Sequence, residues 1–128
     1  VGSDCNSHPT WKPDHHQAFY NIGVAYTKLG DFKQAVNSYS RVVEKEPKYS
    51  PAYFNRGNAY TRLKNYQQAL KDYTRVIKLK GNNRAHAYFN RAKIYHYQGN
   101  TRKACADLKK ASKLGHPNAQ QFIQQVCN

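Results

Sequence analysis

The chain has 128 residues, 39% of them hydrophobic, with 21 Lys+Arg against 7 Asp+Glu and a formal net charge of +14. That length suits one domain with its own core. No apolar run approaches the ~20 residues of a membrane helix and no charged-then-apolar leader opens the chain, which excludes transmembrane and intact secretory readings. With no Met present, the chain is read as processed or excised, its compartment open with the cytoplasm slightly ahead.

Residues 1–14, with Pro9 and Pro13, read as an irregular lead-in. His8, His15 and His16 gather there without the preorganised partners of a metal site, so neither metal nor cofactor is expected. From residue 15 the sequence repeats. Phe19-Tyr20-Asn21-Ile22-Gly23-Val24-Ala25-Tyr26 returns as Tyr53-Phe54-Asn55-Arg56-Gly57-Asn58-Ala59-Tyr60, and again as Tyr88-Phe89-Asn90-Arg91-Ala92-Lys93-Ile94-Tyr95. Each copy predicts a helix striped at i, i+4 and i+7 by Phe19/Gly23/Tyr26, Tyr53/Gly57/Tyr60 or Tyr88/Ala92/Tyr95, the small residue marking close helix approach. Turns at Gly30-Asp31, Lys64-Asn65 and Gly99-Asn100 place Asp or Asn to cap a second helix. Those second helices put Ala35/Tyr39/Val42, Ala69/Tyr73/Val76 and Ala104/Leu108/Ala111 on one side, and stop at Pro47, Gly81 and Gly115-His116-Pro117. Phe122 and Val126 then predict a short capping helix, with Gln120, Gln121, Gln124 and Gln125 toward water.

This pattern resembles the tetratricopeptide repeat (TPR), a 34-residue helix pair with an aromatic, Leu, Gly, Tyr, Ala, aromatic, Ala and Pro at fixed offsets. The first copy fits best, through Phe19, Ile22, Gly23, Tyr26, Ala35, Tyr39 and Pro47; Arg56 and Arg91 stand where the family has Leu, and the extra residue falls in the Gly81-Asn82-Asn83 loop. The resemblance implies an all-α, right-handed superhelix of three repeats (16–49, 50–84 and 85–117 within 15–117), closed by a cap over 118–128.

It also implies a protein–protein adaptor that holds an extended segment in its concave groove, without enzymatic activity. The family's groove positions place Asn21, Asn55 and Asn90 as an asparagine ladder for a peptide backbone, and Tyr20, Phe54 and Phe89 as aromatic contacts or as packing. Asn58, Lys28, Arg62 and Lys93 join that face, and its cations favour an acidic or carboxylate-bearing ligand. Chaperone-clamp domains use Lys and Asn at positions that here hold Tyr20, Val24, Asn55, His86 and Asn90; only Asn55 matches, so Hsp70/Hsp90 C-terminal peptides are disfavoured.

The charge is lopsided. Residues 1–47 balance five bases against five acids, while 48–128 hold the other 16 bases with only Asp72 and Asp107. Lys71, Arg75 and Lys78, and Lys103, Lys110 and Lys113 with Lys109, project from the second helices to the convex side. They read as a solvated face or as an alternative contact for nucleic acid or anionic membrane; stacking of solenoid ends into homo-oligomers stays open. Of three cysteines, Cys105 occupies an apolar packing register and reads first as a buried thiol, with a Cys105–Cys127 bridge as the alternative. No Ser/His/Asp or Cys/His arrangement, P-loop or dinucleotide fingerprint occurs.

Overall fold

The computed structural model describes residues 15–127; the lead-in with Cys5 and His8 lies outside it. Among the described residues there are seven helices and no strand: α1 (His16–Leu29), α2 (Phe32–Lys45), α3 (Ser50–Arg62), α4 (Tyr66–Leu79), α5 (Arg84–Tyr97), α6 (Thr101–Lys113) and α7 (Ala119–Val126). Each odd helix packs on the next even one as a repeat, and α2 on α3, α4 on α5 and α6 on α7 join successive units. This is an all-α solenoid in which every unit buries its apolar side on its neighbours. None of these helices is long and apolar enough to cross a membrane.

The core follows the sequence periodicity. Ala35, Tyr39 and Val42 on α2, Ala69, Tyr73 and Val76 on α4, and Ala104, Leu108 and Ala111 on α6 are all buried. Within each repeat the small residue of the first helix faces the large one of the second. A Cβ added to Gly23 would lie 2.5 Å from the Tyr39 ring, and one on Gly57 would lie 2.9 Å from Tyr73. The third repeat solves the same contact with Ala92 opposite Leu108. Two of the three expected caps form: Asp31 accepts from the Gln34 amide and Asn100 from the Lys103 amide, each at 3.2 Å. Asn65 makes no such side-chain bond. The turn before it places Lys64 at φ 63°, where the flanking repeats use Gly30 and Gly99; a side chain there carries roughly 1 kcal/mol of strain.

The expected capping helix, α7, covers the apolar edge of the third repeat, with Ala119 buried and Phe122, Ile123 and Val126 packed on the Phe89, Leu108 and Ala111 cluster. Gln120, Gln121, Gln124 and Gln125 are exposed. Cys105 is not the buried thiol that its register suggested: it is half-buried and bonded to Cys127, with 5.7 Å between the Cα atoms. The apolar register of α6 faces α7, so its sulfur meets the one at the end of the cap.

Candidate functional site

The two arginines that replace the family's Leu join one repeat to the next. Arg56 on α3 donates to both carboxylate oxygens of Asp72 on α4, at 2.9 and 2.8 Å, and its third nitrogen donates to Ser40 of the preceding repeat at 3.1 Å. Arg91 does the same with Asp107, at 2.7 and 2.8 Å, and with Thr74 at 2.9 Å. Tyrosine rings lie beside each guanidinium, Tyr53 and Tyr60 at Arg56, Tyr88 and Tyr95 at Arg91. Burial pushes the Asp72 carboxyl up against the pull of the Arg56 hydrogen bonds. Bidentate geometry at these distances marks an ionised pair. In the first repeat the corresponding residues are Ile22 and Ser38, so the clasp is absent there and Ile22 is exposed on the end face.

The groove residues named from the sequence divide into two sets. Asn58, Arg62, Asn90 and Lys93 come together along one pocket of about 460 Å³, whose floor includes Tyr73 and Ile94. Among the described residues no carboxylate lines it. Asn58 is the hub: its Oδ1 accepts from the Tyr73 hydroxyl and, at 3.1 Å, from Asn90 Nδ2. Burial pushes the Tyr73 hydroxyl up to about 12, which keeps it a neutral donor. Arg62 lies over the Phe32 ring at 4.5 Å, its charge at the pocket edge. Tyr97, which the sequence reading missed, is 73% exposed and completes the wall with Tyr66, 5.2 Å away. Its register matches that of Lys28 and Arg62, and this was the available signal.

The other set lies outside this pocket. Asn55 Nδ2 donates to the Tyr20 hydroxyl at 2.8 Å, and Asn21 accepts from Gln17 at 3.3 Å. Lys28 is exposed beyond the pocket lining. The three asparagines are therefore not equivalent: Asn55 and Asn90 each spend a donor on a neighbouring side chain. Tyr20 packs between Tyr39 and Tyr49, and Phe54 against Tyr73 and His86. Phe89 departs from the groove expectation: it is 7% exposed, stacked on His116 at 4.0 Å and covered by Phe122. The cap occupies the face that the other two repeats leave open. His116 also meets His86 at 4.7 Å, a cluster not read from the sequence. Burial, with the charges of His86 and Lys93, lowers the His116 imidazole below its ordinary value.

On the second helices, Lys71, Arg75, Lys78, Lys109, Lys110 and Lys113 are all exposed.

Three phased helix pairs followed by a further packed helix define a helical-repeat protein. Tetratricopeptide repeat models match residues 16–49 and 50–83, and a second such model matches 85–114. The chain belongs to the tetratricopeptide repeat family. No curated protein matches it in sequence. Among solved structures it is similar to the Arabidopsis OM64 TPR domain, at TM-score 0.81 and 23% identity, over 87% of this chain and 93% of that one. It is also similar to the first TPR of Spaghetti (RPAP3) bound to the HSP90 peptide SRMEEVD, at TM-score 0.81, 20% identity and coverages of 91% and 93%. The TPR2B domain of yeast Sti1, in a complex with pHsp70, aligns at TM-score 0.76 and 21% identity, over 85% and 90%. At these identities the likeness is one of fold.

Proposed function

We propose that this chain is a non-enzymatic protein–protein interaction scaffold that holds an extended, acidic or carboxylate-bearing peptide along its inner groove. The observation that carries the reading is the pocket where Asn58, Arg62, Asn90 and Lys93 converge without a carboxylate among the described residues that line it. Two cations there supply charge-assisted bonds to a carboxylate, and the amides offer acceptor and donor groups to a peptide backbone. Tyr97 gives a partner's apolar side chain an aromatic surface. That similar domains are solved bound to an HSP90 peptide and in a complex with pHsp70 supports the mode of binding. The chaperone sequence itself stays disfavoured, because Tyr20, Val24 and His86 stand at clamp positions and Asn55 is engaged by Tyr20.

The test is an array of peptides with free C-terminal carboxylates, acidic and neutral, probed with the wild type and with Arg62→Glu/Lys93→Glu. Both side chains reach solvent at the pocket edge, so the variant keeps the fold. Selection of acidic peptides, lost at least tenfold in the variant, is the expected result. Equal signals from acidic and neutral peptides, or an unchanged variant, contradict the reading.

A further inference from the structure

The charge excess has a structural origin outside the groove. The only two acidic side chains after Glu46 are Asp72 and Asp107, and both are spent inside the clasps, at 3% and 4% exposure. The other bases of repeats two and three, all exposed except the half-buried Arg84, therefore have no acidic side chain from their own part of the chain beside them. Register makes the arrangement specific. On the outer helix the first repeat presents Asn37, Arg41 and Glu44, a neutral set. The same positions hold Lys71, Arg75 and Lys78 in the second repeat, and Ala106, Lys110 and Lys113 in the third. Lys71, Arg75 and Lys78 border one shallow cleft of about 400 Å³, while Lys110 and Lys113 share another of about 210 Å³ with Arg84. Like charges so grouped repel one another, and a polyanion relieves that cost.

We propose that the outer surface of repeats two and three binds the phosphate backbone of single-stranded nucleic acid, with Lys71, Arg75, Lys78, Lys110 and Lys113 as its contacts. Aromatic rings accompany these cations: Arg75 lies 5.7 Å from the Tyr53 ring and Lys110 5.6 Å from Tyr88. Each ring also carries a clasp arginine, Arg56 at 5.6 Å from Tyr53 and Arg91 at 5.7 Å from Tyr88, so this surface would hold the flexible backbone of a single strand by charge, with little sequence preference. An anionic bilayer fits less well. The outside of a solenoid meets a plane along one ridge, whereas a flexible strand can follow its curve. Of the large exposed apolar side chains among the described residues, only Leu114 borders these clefts, and interfacial binding wants a broader apolar face.

The experiment is fluorescence anisotropy with a labelled single-stranded oligouridylate of about 20 nucleotides, over a salt series, beside sedimentation with phosphatidylcholine vesicles containing phosphatidylserine. Lys71→Glu/Lys78→Glu is compared with Lys33→Glu/Arg41→Glu, the same charge change on the first repeat; circular dichroism checks folding. The proposal expects binding to the oligonucleotide, an affinity at least tenfold lower in the first variant, and a salt slope shallower by about 1.4, or ~0.7 for each phosphate no longer neutralised. The first-repeat variant shifts affinity by less than about threefold. Equal losses in both variants would reduce the effect to net charge and overturn the proposal. So would an unbound oligonucleotide, whether or not the vesicles sediment the protein.

Discussion

The buried clasp between Arg56 and Asp72 makes a sharp energetic prediction, because the first repeat supplies its replacement. Asp72→Ser leaves the Arg56 guanidinium, whose side chain is 18% exposed, with Ser40 as its remaining polar contact on the preceding repeat. Breaking one side of a buried pair costs ~3–5 kcal/mol; partial exposure of the arginine puts this one at the lower end, about 3 kcal/mol. For a domain of this size that lowers Tm by roughly 10–15 °C. The double variant Arg56→Ile/Asp72→Ser installs the Ile22 and Ser38 solution of the first repeat. It should lie within about 1 kcal/mol of wild type, since an apolar replacement of a buried pair removes both the attraction and the desolvation cost. Urea unfolding of the wild type, both single variants and the double variant gives the coupling energy directly, expected at about 2 kcal/mol or more. Additive single effects, or an Asp72→Ser cost below about 1 kcal/mol, would refute the reasoning.

Other consequences follow from the same packing. Gly57→Ala forces a Cβ into the Tyr73 ring and should cost about 1–3 kcal/mol. Adding Tyr73→Leu, which copies Ala92 and Leu108, should restore at least half of that in denaturant melts. Cys127→Ser opens the 22-residue loop closed by the disulfide, with an expected loss of about 3 kcal/mol; a melt unchanged by the substitution would contradict a closed bridge. His116 gives a pH signature. Its folded value is lowered by burial and by His86 and Lys93, so the unfolded chain takes up a proton that the folded one resists. Stability should therefore decline as pH falls through about 6.5 and level off below the folded value; His116→Gln should flatten that part of the profile.

Most of the fold was legible because it repeats. A phase of 34 or 35 residues marks which positions face inward: those of Ala35, Tyr39 and Val42 are buried again as Ala69, Tyr73 and Val76, and as Ala104, Leu108 and Ala111. The clasps were less legible. Arg56 and Arg91 read as losses of an apolar residue, although an Asp stands sixteen residues after each, and these two Asp are the only acids in that part of the chain. Period-based reading assigns each position a face, and a charged residue on an inward face is a mismatch until its partner across the helix pair is found. Phe89 shows the other limit. Its register equals that of Tyr20 and Phe54, but the third repeat has the cap and His116 beside it rather than a fourth repeat, and an end effect of that kind is invisible to the period. The Asn55 and Asn90 side-chain bonds likewise depend on spacing between repeats, which sequence alignment alone does not fix.

The most direct test of the central claim is a nuclear magnetic resonance titration of the isotopically labelled chain with an acidic peptide that ends in a free carboxylate. The account predicts chemical-shift changes concentrated on the side-chain amides of Asn58 and Asn90 and on the backbones of Arg62, Lys93 and Tyr97, and no saturable change in Arg62→Glu/Lys93→Glu. Shifts confined to Lys71, Lys110 and Lys113 on the outer helices, or none at millimolar peptide, would contradict it.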